Sequence, residues 1–248
     1  MNRKIALRQE AFNKECDWLI KKTICHRGIY DNESVFENTL EAYNGAIEKK
    51  VSIELDVQLT NDLQVICFHD TSLKRFFNRS RDVKDISYKR LNKIRYDLQV
   101  PLLKDVLKLV NGETELVIEL KSTNGKYNKL LVKKVYEILK NYRGKYVIVS
   151  FNPFMIKAYK NLDKNAYVGI NTTTRTKNIL EKLVVDKGLF NWFVKPDFIS
   201  CDIDNFNDKQ LSKYKEKGYK IIGWTLKDED RKKELVKYYH NFIVEGIE

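Results

Sequence analysis

TICHRGIYDNESVFENTLEAYNGAIEKKVSIELDVQLTNDLQVICFHD, residues 23–70, holds three short apolar runs that read as strands. Ile24-Cys25 leads into His26-Arg27-Gly28, Ile53-Glu54-Leu55-Asp56-Val57 alternates apolar and acidic residues, and Val65-Ile66-Cys67-Phe68 leads into His69-Asp70. Side chains i and i+2 of a strand share a face, so Glu54 and Asp56 point one way and Ile53, Leu55 and Val57 the other. The segment 58–69 is too short for a helical crossover between parallel strands, which takes about a dozen residues or more. Residues 58–63 and 64–69 are therefore expected to pair as an antiparallel hairpin turning near Asn61-Asp62. That hairpin would bring His69 back to the level of Glu54 and Asp56.

Outward from this stretch the same grammar repeats. Strand-like runs are expected at 23–26, 51–57, 115–120, 145–151, 166–171, 197–201, 220–225 and 242–245. Helical patterns are expected at 37–50, 101–111, 126–142, 153–162, 175–187, 207–217 and 228–239. Pro101, Gly112, Pro153, Gly188, Pro196 and Gly218 fall at the boundaries. Strands alternating with helices argue for a parallel sheet. Eight strands separated by seven helices fit an α/β fold, a (β/α)8 TIM-type barrel with an insertion after the second strand. The chain divides into an N-terminal helix (1–22) and a barrel (23–248), with 71–100 as a lid or insertion segment. In 3–22, Ile5, Ala11, Phe12, Trp18 and Leu19 form a loose apolar stripe suited to the barrel bottom or an outer helix position.

The polar residues of these runs share one chemistry. Leu116-Val117-Ile118-Glu119-Leu120-Lys121 places a third carboxylate and a lysine at another strand end. Parallel barrel strands are covered outside by helices, so acidic residues facing inward are costly unless neutralised. His26 and His69 are two of the chain's three histidines. Their ordinary pKa, about 6.5, suits proton transfer in both directions at neutral pH. An arginine grips phosphoryl oxygens through paired hydrogen bonds. Together the set points to metal-assisted phosphoryl transfer. Taken singly, each piece has a plainer reading. His26-Arg27-Gly28 fits a surface turn, Glu54 and Asp56 an edge strand, Glu119 with Lys121 a local salt bridge, and Trp224 a core residue. His69-Asp70 fits a helix cap, and Asn38 or Thr39 could cap the helix that follows. His240, among Lys237, Tyr238 and Tyr239, is expected to sit as a cation at a helix C-terminus, away from the chemistry.

In order and spacing, His26-Arg27-Gly28, Glu37-Asn38-Thr39, Glu54-Leu55-Asp56, Leu59-Thr60-Asn61-Asp62 and His69-Asp70 resemble the signature of the glycerophosphodiester phosphodiesterases. VPLLKDVL (100–107), VIELKS (117–122), VSFNP (149–153) and GWTLKD (223–228) extend the resemblance over about residues 23–245. The resemblance implies a (β/α)8 barrel that hydrolyses glycerophosphodiesters to sn-glycerol 3-phosphate and an alcohol. It implies a divalent metal, Ca or Mg, on Glu54, Asp56 and Glu119, and an acid–base pair in His26 and His69. Arg27 and Lys121 would bind phosphate, Trp224 would line the glycerol or leaving-group side, and Glu37 would support the metal site from behind. The sequence departs from the family at Phe36 (usually Pro), at Leu63 (a turn glycine), at Lys74-Arg75-Phe76-Phe77 (Arg-Thr-Thr) and at Phe242-Ile243-Val244-Glu245-Gly246 (Gly-Ile-Ile-Thr-Asp). These positions fall in loops around the pocket and leave the substrate range open; the sequence does not reveal the head group, the metal or the oligomeric state. Arg75, Phe76, Phe77 and Arg79 are expected to overhang the metal site and to select the alcohol side of the diester. Rival readings are a lysophospholipase D-like activity on lipid substrates and a catalytically silent ligand-binding barrel.

Composition narrows the partners. Forty-six Lys and Arg against 34 Asp and Glu give +12. The basic residues are spread along the chain with no nucleic-acid motif, so no nucleic acid is expected. The charge would instead steer a small anionic substrate or allow weak contact with anionic lipid. Four cysteines without C-x-x-C spacing suggest buried thiols in a reducing compartment. No secretory signal and no transmembrane segment are read, and a cytoplasmic location is expected.

Overall fold

The computed structural model describes residues 3–173, 193–206 and 208–246, so the helix expected at 175–187 lies outside the described residues. Its strands are β1 (Ile24–His26), β2 (Ser52–Leu59), β3 (Val65–Cys67), β4 (Leu116–Leu120), β5 (Tyr146–Ser150), β6 (Val168–Thr172), β7 (Phe198–Asp202), β8 (Lys220–Leu226) and β9 (Asn241–Val244). They hydrogen-bond in the order β1-β9-β8-β7-β6-β5-β4-β2-β3, and a β1–β2 pairing closes the ring. All the pairs within the ring are parallel; only β3 is antiparallel, pairing Val57 with Cys67 and Leu59 with Val65. The expected hairpin is therefore present. A backbone bond from Phe68 N to the Asp56 carbonyl (3.0 Å) returns the chain to the level of Asp56 on β2. Leu63, which stands where the family has a turn glycine, takes a left-handed φ of 58° and is held half-buried against the core.

Alternation sorts each strand. Cys25, Ile53, Leu55, Val57, Leu116, Ile118, Ile148, Ile199 and Ile221 face outward and pack under the helices, where α3 (Leu40–Glu48), α6 (Leu103–Val110), α7 (Gly125–Leu139) and α8 (Pro153–Leu162) contribute Tyr43, Leu103, Val135 and Tyr159. Ile24, Val117, Val147, Val149, Phe198, Ile222 and Ile243 instead pack together with Phe12, Cys16, Trp18 and Leu19. The N-terminal segment forms two helices, α1 (Arg3–Glu15) and α2 (Trp18–Lys21), and these close the barrel floor. Phe12 stacks on Phe198 with ring centroids 5.8 Å apart. Arg8 locks the helix down through a two-pronged ion pair to the buried Asp197 (2.6 and 2.9 Å). All four cysteines are buried and unpaired.

The insertion has a small core of its own. Between β3 and β4 lie α4 (Lys74–Phe77), a 3-10 turn (Val83–Asp85) and α5 (Tyr88–Leu91). Phe36, Phe68, Leu73, Phe77, Val83, Ile86, Leu91 and Leu98 pack together there. This corrects the expectation that Phe76 and Phe77 overhang the metal site. Phe77 is buried, and the Phe76 ring meets Phe36 at 5.9 Å and Phe68 at 6.0 Å. Two departures from the family pattern, Phe36 and Phe76, thus face each other. Among the described residues, Arg79 reaches the neighbouring carbonyl of Asn78 and no carboxylate.

Candidate active site

Strand register brings the polar residues to one end of the barrel. His26 pairs with Glu54 across β1–β2, and Asp56 with Glu119 across β2–β4. The carboxylates of Glu54, Asp56 and Glu119 are all buried and lie within 4.8 Å of one another. Around them, His26, Arg27, His69, Lys121, Phe151, Asn171, Ser200 and Trp224 line a cavity of about 130 Å³. Every catalytic, substrate-binding and metal residue expected from the sequence except Asp56 lines it, and Asp56 lies behind, ion-paired with Arg27 and Lys121.

The loop after β1 is shaped for this purpose. Arg27 (φ 61°), Gly28 (φ 88°) and Asn38 (φ 57°) take left-handed conformations. A Cβ on Gly28 would sit 2.7 Å from the Ala42 backbone, so only glycine lets α3 approach this closely. The helix starts at Leu40 rather than 37 because Thr39 caps it, its hydroxyl accepting from Ala42 N at 3.3 Å. Asn38 is spent elsewhere: its amide donates to Asp56 (3.0 Å), and its carbonyl oxygen accepts from Asp56 N (3.2 Å) and the Tyr43 hydroxyl (2.8 Å). Glu37 sits behind Arg27, accepting from its Nη1 at 2.7 Å.

Charge is unevenly distributed in this pocket. Among the described residues, Arg27 (3.2 Å from Asp56) and Lys121 (3.3 Å from Asp56, 2.8 Å from Glu119) are the cations that ion-pair with Asp56 and Glu119, while Glu54 accepts from Arg27 N at 3.3 Å. Burial, and then the charges of Asp56 and Glu119, push the Glu54 carboxyl well above its usual range. Burial also opposes ionisation of Asp56, but Lys121 and Arg27 outweigh it and hold Asp56 below the ordinary carboxylate range. Burial works against the Lys121 ammonium, yet Glu119 and Asp56 keep it protonated. Three buried carboxylates facing two shared cations, with the carbonyl oxygen of Asn171 buried and unpartnered beside them, suit one divalent ion. An all-oxygen donor set fits a hard cation such as Ca or Mg better than zinc.

Each histidine is backed by a carboxylate. His69 Nδ1 lies 2.7 Å from Asp70, and His26 Nδ1 lies 3.2 Å from Glu245. Burial lowers the His69 pKa, with the Asp56 charge pulling the other way. The hydrogen bond to His26 holds Glu245 down at about 2. Sequence reasoning missed Phe151 and gave Glu245 no role; it placed Asn171 and Asp202 at barrel strand ends as possible pocket residues and Arg75 over the metal site, without their partners. Alternation from Ile243 could have found Glu245. Asn171, which donates to Glu119 at 3.0 Å, ends a strand. Phe151 meets Trp224 edge-on at 5.6 Å, and the two rings form an aromatic part of the cavity lining. His240 corrects its expectation. Its Nδ1 accepts from Ile221 N (3.0 Å), which requires a neutral ring, and burial pushes its pKa down to about 4.

Comparison with known proteins converges on one family. The sequence profile of the Glycerophosphoryl diester phosphodiesterase family matches residues 26–247. A glycerophosphodiester phosphodiesterase of Caldanaerobacter subterraneus subsp. tengcongensis is 27% identical over 226 residues, covering 86% of this chain and 87% of its own. A lysophospholipase D of Mus musculus is 30% identical over 146 residues, 52% of this chain and 44% of its own. The crystal structure of a Thermotoga maritima glycerophosphodiester phosphodiesterase superposes with a TM-score of 0.71 at 24% identity, covering 90% of this chain and 93% of that one. An Oleispira antarctica phosphodiesterase in complex with the product sn-glycerol-3-phosphate superposes at 0.75 and 20% identity, covering 91% and 93%. These likenesses agree with the closed parallel barrel and its strand order. The chain belongs to the glycerophosphoryl diester phosphodiesterase family and is an enzyme of it, a phosphoric diester hydrolase.

Proposed function

We propose that glycerophosphodiester hydrolysis runs here through a divalent cation and two histidines, releasing sn-glycerol 3-phosphate and an alcohol. The observation that carries this reading is the buried Glu54–Asp56–Glu119 set opening on the cavity that His26 and His69 also line. A cation bound there would polarise the phosphoryl oxygens and acidify a nearby hydroxyl. Arg27 and Lys121 bind the phosphoryl oxygens and stabilise the charge that builds on them. Trp224 and Phe151 line the carbon skeleton. One histidine takes the proton of the substrate's 2-hydroxyl as its oxygen bonds to phosphorus, and the other gives a proton to the departing alcohol as its bond to phosphorus breaks. Water then opens the resulting cyclic phosphate at the 2-oxygen, with the two histidines in exchanged roles.

The metal and two-histidine reading is tested by measuring release of glycerol 3-phosphate from glycerophosphocholine after exhaustive chelation, and again with Ca or Mg restored. Activity that survives chelation unchanged overturns the metal; activity that returns with either ion supports it. Adding a lysophospholipid to the same assay tests the second reading, which the likeness to the mouse lysophospholipase D favours. Beside His69, however, the open groove of about 790 Å³ is bordered by Thr71, Ser72, Lys74, Arg75 and Asn78 rather than by rings. Those hydroxyl, amide and charged side-chain ends suit a water-soluble diester. We further propose a cytoplasmic enzyme. Its four unpaired thiols suit a reducing compartment, and no helix among the described residues is long and apolar enough to cross a membrane.

A further inference from the structure

Arg75 is the side chain through which the insertion reaches the catalytic end. Its guanidinium donates to two carboxylates at once. Nε and Nη2 hold Asp70 (2.7 and 2.9 Å), and Nη1 and Nη2 hold Glu37 (2.8 and 2.7 Å). The plane is fixed from below by the Phe76 ring, 4.1 Å from the guanidinium carbon. The two carboxylates lead in different directions. Asp70 meets His69 Nδ1, while Glu37 meets the Arg27 guanidinium. The result is an unbroken chain of charge-assisted bonds, His69–Asp70–Arg75–Glu37–Arg27. It links the proposed acid–base group to the proposed phosphate-binding arginine. His26 has a lesser brace: Glu245 is tied to Lys227 by one contact of 3.3 Å.

We propose that Arg75 is a positioning residue for the reaction. It locks Asp70 so that His69 carries its hydrogen on Nδ1 and keeps Nε2 for proton transfer, and it holds Glu37 so that Arg27 stays aimed at the phosphoryl group. The physical basis is geometric. Asp70 alone is a short side chain in a loop; two parallel N–H bonds from a planar fork fix both of its oxygens. The hydrogen bond to one ring nitrogen then determines which nitrogen exchanges protons. Arg75 does not touch the reacting atoms. This inference rests on the two-histidine reading above.

The test compares Arg75→Met, Arg75→Lys, Asp70→Asn and His69→Ala with the wild type, using glycerophosphocholine and measuring kcat, KM and the unfolding midpoint. Arg75→Met is expected to lower kcat by about 10–100-fold, the range for groups that orient a functional side chain, with KM changed by less than about threefold. Lysine keeps the charge but not the fork, so Arg75→Lys is expected to lose nearly as much; it serves alone if the methionine variant does not fold. Added guanidinium ion should restore part of kcat in Arg75→Met. Two further readouts separate positioning from mere support. Nitrogen NMR of the His69 ring should change from one neutral tautomer to a mixture. The double variant Asp70→Asn/Arg75→Met should lose less than the product of the two single losses, because the Asp70 branch is already broken and only the Glu37–Arg27 branch remains to be lost. An Arg75 variant with wild-type kcat, or one whose loss falls on KM alone, overturns the proposal. An active His69→Ala instead overturns the acid–base reading on which it rests, so the two failures are distinguishable.

Discussion

Two residues along most strands separate an apolar barrel floor from a polar barrel mouth. Ile24 gives way to His26 on β1, Val117 to Glu119 on β4, Phe198 to Ser200 on β7 and Ile222 to Trp224 on β8, and Ile243 is followed by Glu245 just past β9. The backbone hardly differs between the levels; the side chains do. The floor is filled by Phe12, Trp18 and Leu19 and gains what apolar burial supplies, about 25 cal/mol per Å². The mouth buries three carboxylates that cannot all ionise comfortably, as the upward shift of Glu54 shows. Stability and reactivity are thus stacked in one tube, and the reactive level is held in place by the level beneath it and by the helices outside.

The largest effects should come from the mouth and leave the floor untouched. His26→Ala and His69→Ala should each reduce kcat on glycerophosphocholine by about 10²–10⁴-fold, with the unfolding midpoint within a degree or two of wild type. Either variant retaining more than about a tenth of the activity removes that histidine from the mechanism. The floor should behave in the opposite sense. Phe12→Ala removes a ring 1% exposed and stacked on Phe198, and should cost about 3–5 kcal/mol in denaturant unfolding. Its kcat, measured well below the unfolding temperature, should stay near wild type; a large kcat loss in a folded variant would mean that the two levels are coupled.

A sharper test of the division asks whether the mouth costs stability. Glu54→Gln replaces a strained buried carboxyl with a neutral isostere. In the metal-free protein this should add about 1 kcal/mol, some 2–4 °C in Tm for a chain of this size, while weakening divalent-ion binding by calorimetry. A lower metal-free Tm would place Glu54 among the stabilising residues instead. The smallest effect concerns His240, outside both levels. Its folded pKa lies below its unfolded value, so its contribution to stability is present above pH 6.5 and is lost as pH falls from there through about 4. His240→Gln offers Ile221 N an acceptor that does not titrate. It should therefore lose less stability than wild type between pH 7 and pH 4.5; equal losses would show that the ring does not titrate with folding.

Much of the site was legible because strands are periodic. Alternation alone put Glu54 and Asp56 on one face, and length alone turned 58–69 into a hairpin that carries His69 home. Outside the strands the same reasoning lost its footing. Phe76 and Phe77 looked like a lid because they follow His69-Asp70 closely. In a four-residue helix, however, no period fixes direction, and the rings turned into the insertion's own core. His240 looked like a cation at a helix end, but the helix stops at Leu235 and the ring accepts a backbone hydrogen bond instead.

The sequence by itself determined the barrel, its hairpin and the inward carboxylates. Those features follow from local spacing and from the cost of burying unpaired charge. Only the tertiary structure decided which distant groups meet: Glu245 with His26 across 219 residues, Asn171 with Glu119 across 52, Arg75 with Glu37 across 38, and Arg8 with Asp197 across 189. No period in the chain encodes those meetings. They arise because closing the ring gathers the strand ends at two rims, one at the mouth and one at the floor, where each buried charge must find a partner.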